Sequence, residues 1–159
     1  MIMVVISVIF LLVVAYLLGS IPNAVWIGKR YYGIDVREHG SKNAGATNTL
    51  RVLGRQAAIP VFVLDVLKGF AAVTLMSLMK YSPAVGDNLL TIFKLLAVVA
   101  AVLGHIFPIF ADFRGGKGVA TLVGSVIAIA PSVIMLCFGV WLVVFILFNY
   151  VSLASMCAG

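Results

Sequence analysis

Polar residues suited to holding an anion are concentrated between positions 39 and 51, in the string HGSKNAGATNTLR. Gly45 lets a ligand approach the backbone closely. Neutral hydrogen-bonding groups are supplied by Ser41, Asn43, Thr47 and Asn48. Arg51, together with Arg37 upstream, adds the forked donor geometry that suits a phosphate. The density of these donors favours a phosphate-binding segment over the alternative of a solvated, flexible loop.

A second pattern of the same kind is the run RGGKG at positions 114–118. Its three glycines, Gly115, Gly116 and Gly118, expose backbone N–H groups, and the apolar run that follows predicts a helix whose positive end faces them. An anion can then be held by the amides, the helix dipole and Lys117. The run is not a Walker A loop, because position 111 is alanine and position 118 is glycine. A tight turn carrying ordinary membrane-flanking cations is the alternative.

Three ionisable side chains lie inside otherwise apolar stretches. Asp65 and Lys68 share one side of a helix at spacing i, i+3, where they can form an ion pair or look into a wet cavity. Each charge is costly in lipid, so we expect neither to face the acyl chains. His105 is either a satisfied structural histidine or a ligand. We keep Lys68 and His105 as candidate substrate-binding residues.

The composition shows what kind of protein must position these residues. Of the 159 residues, 64% are hydrophobic and 10% are charged, whereas soluble domains have about half and about a quarter. At about 20 residues per crossing, the apolar positions fill four or five membrane-spanning helices. We predict an all-α, polytopic transmembrane helix bundle that forms a single integral membrane domain over residues 1–159.

The apolar runs predict about five spans. They are placed at residues 1–18, at about 57–79 and about 89–110, and twice within 119–159, with a turn near 130–139.

Basic residues are unevenly distributed along the chain, which carries 11 Lys and Arg against 5 Asp and Glu. Six of the basic residues lie in segment 29–55, which is separated by two spans from the turn 112–118, so both face the same side. The positive-inside bias makes them cytoplasmic glycine-rich loops and puts the amino terminus outside. Such a patch favours phosphate-bearing metabolites or lipid headgroups over nucleic acid. Cys137 and Cys157 lack His or acidic neighbours, so we expect buried free thiols, no metal and no cofactor.

Five strings together resemble, in order and in spacing, the bacterial membrane glycerol-3-phosphate acyltransferases that use acyl phosphate. They are YLLGSIP at 16–22, GIDVR at 33–37, HGSKNAGATNTLR at 39–51, DVLKG at 65–69 and GHIFPIFADFRGGKGVAT at 104–121. The resemblance implies a multi-pass enzyme of the bacterial inner membrane with a cytoplasmic active face. It implies transfer of a fatty acyl group from acyl phosphate to the 1-position of glycerol 3-phosphate, giving lysophosphatidate and phosphate for phospholipid biosynthesis. No obligate protein partner is expected.

The resemblance also implies roles for individual residues. Ser41 and Arg51 match polar residues that the family's first motif needs for activity, and Lys117 matches the second, glycerol-phosphate-binding motif. We therefore expect these three to be catalytic. Substrate-binding roles are expected for Asn43, Gly45, Thr47, Asn48, Lys68, His105, Gly115, Gly116 and Gly118. We expect direct attack of the glycerol hydroxyl on the acyl carbonyl, without an acyl-enzyme, while the cations neutralise developing charge.

One departure from the family concerns the end of the chain. The family continues beyond the stretch YVSLAS at 150–155 with a third motif that contains His and Asn, and this chain stops at Gly159. We expect a truncated chain with weak or absent activity on its own. Two other classes of function stay open: a small transporter or channel for phosphate-type anions, with Asp65 and Lys68 lining its route, and a structural subunit of a larger membrane complex.

Overall fold

The regular structure of the chain is helical. The computed structural model describes residues 2–158, except for the side chains of residues 151, 155 and 158. Within that range there are eight α-helices and no strand: α1 Ile2–Gly19, α2 Asn23–Tyr32, α3 Ala46–Leu53, α4 Arg55–Met76, α5 Asp87–Ile106, α6 Val119–Ile129, α7 Pro131–Phe148 and α8 Val151–Ala158. Short 3₁₀ helices cover Val36–Glu38, Ser77–Tyr81 and Ile109–Ala111. The prediction of an all-α fold is confirmed.

Among residues 2–158, four helical segments are long and apolar enough to cross a membrane. They are Ile2–Tyr32, Arg55–Tyr81, Asp87–Ala111 and Pro131–Phe148, and α6 is a shorter apolar helix. Where about five spans were predicted, the described residues thus contain four helical segments of crossing length and one shorter apolar helix. Large apolar side chains such as Phe10 of α1 and Leu67 of α4 are exposed, as lipid contact requires.

The polar segment between the first two spans is more helical than the sequence suggested. The stretch after Pro22 forms α2, which ends at Gly33 in the left-handed conformation, φ 66°. The predicted phosphate-binding string at 39–51 was expected to be a loop, and its second half forms part of α3. The second span begins directly after α3, at Arg55.

Glycines allow the helices that carry the site to touch backbone to backbone. A methyl group added at Gly69 of α4 would meet the carbonyl oxygen of Thr121 in α6, and one added at Gly124 of α6 would meet the carbonyl of Val66 in α4. Gly104 of α5 contacts the carbonyl of Tyr16 in α1 in the same way. Close approach through small residues is how membrane helices gain packing energy, and it brings the polar side chains of α4, α5 and α6 together.

The chain divides into two compact units, Met1–Ala128 and Ile129–Gly159. In the second unit α7 packs against α8, and the rings of Phe138, Trp141 and Phe145 stack along α7. Both cysteines are unpaired, but Cys157 is exposed, so the prediction that both thiols are buried is wrong. The assignment of residues 1–159 to one domain stays a prediction.

Candidate active site

Asn48 of α3 folds the first predicted phosphate-binding string. Its side chain is 1% exposed. Its Nδ2 donates to the carbonyl of Val36 at 2.7 Å and to the carbonyl of His39 at 3.1 Å, and its Oδ1 accepts from the backbone N–H of Ser41 at 2.8 Å. These three bonds turn the chain before α3, so that Ser41 lies on the same side as Arg51.

Arg37 has a different place from the one predicted for it. Its side chain is buried and forms a bidentate pair with the Asp35 carboxylate, in which Nε donates to Oδ1 at 3.0 Å and Nη2 donates to Oδ2 at 2.8 Å. Its remaining nitrogen donates to the carbonyl of Ala111 at 2.8 Å. This hydrogen bonding holds the pKa of Asp35 well below its usual value and raises the pKa of Arg37. Arg37 is therefore not available to a phosphate, and it joins the first string to the turn that precedes RGGKG.

The RGGKG run is held by its own backbone. The N–H of Gly115 donates to the carbonyl of Ile106 at 3.1 Å, and the N–H of Gly116 donates to the carbonyl of His105 at 3.1 Å. The carbonyl of Gly115 accepts from the N–H of Ala44 at 3.3 Å, which ties the two predicted strings to each other. The expectation that the amides of Gly115 and Gly116 face an anion is wrong, because these amides bond backbone carbonyls and so fix the loop.

Gly116 lies against the imidazole ring of His105, where an added methyl group would contact Nε2. Gly118 has a φ of +77°, which glycine adopts without strain. These two glycines let the loop lie close to α5. Lys117, between them, is exposed.

A cavity of about 290 Å³ lies where the two strings meet. Of the twelve predicted site residues, nine line it: Ser41, Asn43, Gly45, Thr47, Asn48, Arg51, His105, Lys117 and Gly118. Lys68, Gly115 and Gly116 do not. The apolar side chains of Phe62 and Val119 also line it and are 49% and 64% exposed, so one wall is apolar.

A buried ion pair on α4 is bonded to the start of α2 and to the segment between α1 and α2. The Asp65 Oδ1 atom lies 2.9 Å from Lys68 Nζ and accepts from Asn23 Nδ2 at 2.9 Å. Lys68 Nζ also donates to the carbonyl of Ile21 at 2.8 Å. The side chains of Asp65 and Lys68 are 2% and 5% exposed. Lys68 is thus part of a buried structural pair and does not reach the cavity.

His105 is connected to this pair and to α6. Its Nδ1 atom lies 3.1 Å from Thr121 Oγ1 and 3.7 Å from Asp65 Oδ1. Ser125 Oγ donates to the carbonyl of Thr121 at 2.9 Å. Sequence reasoning missed Asn23 and Thr121 as members of this network. The sequence offered two signals for them: Asn23 has a side-chain amide directly after Pro22, and Thr121 has a hydroxyl three residues after RGGKG.

The arrangement defines a membrane protein with a cavity that is lined by Arg51 of α3 and Lys117 of the RGGKG run. Residues 9–159 match the family model described as glycerol-3-phosphate acyltransferase. The chain belongs to this family and is a multi-pass membrane protein, which confirms the resemblance found in the sequence.

Individual relatives agree with the family model. The glycerol-3-phosphate acyltransferase of Chlorobium phaeobacteroides is 43% identical over 155 residues, which are 96% of this chain and 66% of the relative. That of Enterococcus faecalis is 47% identical over 150 residues, 94% of this chain and 65% of the relative. The chain thus spans just under two thirds of the length of these relatives.

A solved structure shares the fold. The crystal structure of PlsY (YgiH), an integral membrane glycerol 3-phosphate acyltransferase, in its glycerol 3-phosphate form is similar with a TM-score of 0.73 and 45% identity. The match covers 96% of this chain and 72% of that one. The lysophosphatidic acid form matches with a TM-score of 0.69.

The YVSLAS stretch lies in the second unit, and the side chains of residues 151 and 155 are outside the described ones.

Proposed function

We propose that the chain is an acyltransferase that moves a fatty acyl group from acyl phosphate to the 1-position of glycerol 3-phosphate, producing lysophosphatidate and inorganic phosphate. The observation that carries this proposal is that Ser41, Arg51 and Lys117, from two separate strings, line one cavity. The relatives named glycerol-3-phosphate acyltransferase, and the glycerol 3-phosphate and lysophosphatidic acid forms of PlsY, support the same reaction.

The cavity suits direct acyl transfer. Arg51 and Lys117 bind the two phosphate groups. They neutralise the charge that develops on the carbonyl oxygen and on the leaving phosphate as the bond between the carbonyl carbon and the phosphate oxygen breaks. The Ser41 hydroxyl donates a hydrogen bond to a phosphate oxygen. The 1-hydroxyl of glycerol 3-phosphate attacks the acyl carbonyl, and the departing phosphate takes its proton. No group of this chain becomes acylated.

The acyl chain fits the apolar wall of the cavity. Phe62 and Val119 line the cavity and are also exposed on the helix surface, so an acyl tail can lie between them while its far end stays in lipid. By the positive-inside bias, the face that holds Arg51 and Lys117 is the cytoplasmic one and the amino terminus is outside. The family resemblance implies that the membrane is the bacterial inner membrane.

Reconstituted vesicles test this function. The protein from its complete reading frame is supplied with acyl phosphate and radiolabelled glycerol 3-phosphate, and lysophosphatidate is measured. We expect product from the wild type and a loss of about 100-fold or more in Ser41→Ala, Arg51→Gln and Lys117→Gln. Lys42→Gln removes an exposed cation from the same string that does not line the cavity, and it retains activity. Equal turnover by all four variants refutes the proposal.

A phosphate-anion transporter is less well supported. Lys68, which would line its route, is instead bonded to Asp65 and to the Ile21 carbonyl. In the same vesicles, phosphate flux without acylated product is the result that would favour transport.

A further inference from the structure

We propose that Asp65 selects the acceptor substrate by accepting a hydrogen bond from the hydroxyl group of glycerol 3-phosphate that is not acylated. The inference rests on the proposed function, because it assigns the polyol end of that substrate to the closed end of the cavity. Asp65 lines the cavity although its side chain is only 2% exposed. The little surface that it retains faces the cavity.

The two carboxylate oxygens of Asp65 have different surroundings. Oδ1 has all the protein contacts: Asn23 Nδ2 at 2.9 Å, Lys68 Nζ at 2.9 Å and His105 Nδ1 at 3.7 Å. Oδ2 has no hydrogen bond to any group among residues 2–158. No fully buried side-chain oxygen or nitrogen of these described residues lacks a partner. Oδ2 is therefore the atom that opens onto the cavity.

A purely structural ion pair has no use for this geometry. A carboxylate has room for several donors on its two oxygens, and leaving one oxygen unbonded in a buried position is unfavourable. Here three nitrogen groups converge on Oδ1 and leave Oδ2 aimed at the cavity. They hold the carboxylate rigidly, as a group that binds a ligand with specificity must be held.

The chemistry of a carboxylate decides what it binds. An ionised carboxylate only accepts hydrogen bonds, so it attracts a hydroxyl group and repels a phosphate. Arg51 and Lys117 line the same cavity and attract the phosphate. Opposite charges on one cavity therefore give the substrate one orientation, with the phosphate at the cations and the polyol at Asp65. The secondary hydroxyl donates to Oδ2, which leaves the primary hydroxyl free to attack.

Equilibrium binding to the purified full-length protein in detergent tests this assignment. The probes are glycerol 3-phosphate, 3-hydroxypropyl phosphate, which lacks only the secondary hydroxyl, and inorganic phosphate. We expect the wild type to prefer glycerol 3-phosphate over 3-hydroxypropyl phosphate by about tenfold or more, as for loss of a hydrogen bond to a charged group. Acyl transfer is measured on the same preparations.

The variant removes the carboxylate without leaving its partner as an unpaired charge. Asp65→Asn combined with Lys68→Gln keeps the pair neutral and retains a donor for the Ile21 carbonyl. The amide that replaces the carboxylate can bond the secondary hydroxyl only as a neutral partner, so the preference for glycerol 3-phosphate should fall several-fold. The variant should still bind inorganic phosphate like the wild type. Asp87→Asn, which removes an exposed carboxylate at the start of α5, should keep the wild-type preference.

The other outcomes overturn the inference. Equal affinity of the wild type for the two polyol phosphates does so, as does a preference that is undiminished in the double variant. A double variant that loses inorganic phosphate along with the preference also does so, because the pair then only supports the fold. Acyl transfer without the preference refutes this inference alone, whereas the preference without acyl transfer refutes the proposed function alone.

Discussion

Lys68→Met is expected to destabilise the protein strongly. Lys68 Nζ lies 2.9 Å from Asp65 Oδ1 and donates to the Ile21 carbonyl at 2.8 Å, and the two charged side chains are 5% and 2% exposed. Removing one partner of such a buried pair leaves an uncompensated charge, which costs about 3–5 kcal/mol. Replacing both partners by neutral groups, Asp65→Asn with Lys68→Met, should recover most of that loss.

The unfolding free energy is measured by denaturation in mixed detergent micelles, from the change in helical circular dichroism. Lys80→Met is the matched control, because Lys80 is exposed and lies over the ring of Tyr81. That contact contributes about 0.5–1 kcal/mol. If Lys68→Met is as stable as Lys80→Met while the KM for glycerol 3-phosphate rises, Lys68 is a substrate ligand and the structural assignment is wrong.

Two further predictions concern the loops. Gly116→Ala should lower activity at least about tenfold, because the added methyl group meets the buried ring of His105 and must move the RGGKG loop. The KM for glycerol 3-phosphate reports the displacement of Lys117. An unchanged KM and kcat would contradict the packing of Gly116 against His105. For Asp35, whose pKa is lowered mainly by the hydrogen bond from Arg37, the stabilisation is complete above the unfolded-state pKa of about 4 and is lost as the pH falls below it. The thermal midpoint of the wild type should therefore fall between pH 5 and pH 3 by more than that of Asp35→Asn, and parallel profiles would contradict the pairing.

The membrane fold was predictable because apolar runs of spanning length dominate the sequence. The first span was predicted to end at Leu18, and α1 ends at Gly19. The two agree because the small residues and the proline after Leu18 end the helix. Met1 lies outside the described residues. The ends of α4 and α5 were harder to place. A 3₁₀ turn follows α4 directly and follows α5 after two residues, and the apolar pattern does not separate either turn from its helix.

The site was predictable as a set of residues but not as a geometry. Ser41, Arg51 and Lys117 were chosen by type and motif, and the cavity joins them. Arg37 has the same chemistry as Arg51, and only tertiary contacts with Asp35 and Ala111 show that its guanidinium is occupied.

The glycines of RGGKG were a similar case. The sequence does not distinguish amides that face a ligand from amides that are bonded to backbone carbonyls. The amides of Gly115 and Gly116 donate to the carbonyls of Ile106 and His105, which belong to the preceding helix. Backbone pairing of this kind depends on where that helix ends, which the apolar pattern leaves open by several residues.

The central claim is that the two strings line one shared cavity in which glycerol 3-phosphate binds, and cysteine protection tests it most directly. In a background with Cys137 and Cys157 replaced by serine, Ala46→Cys reports from α3 and Ala120→Cys reports from α6, since both alanines line the cavity. Ala84→Cys, in the exposed turn before α5, is the control. We predict that glycerol 3-phosphate slows maleimide labelling of the first two with the same half-saturating concentration and leaves the third unchanged. Protection of only one of the two cavity cysteines, or protection at two different concentrations, would contradict a shared site.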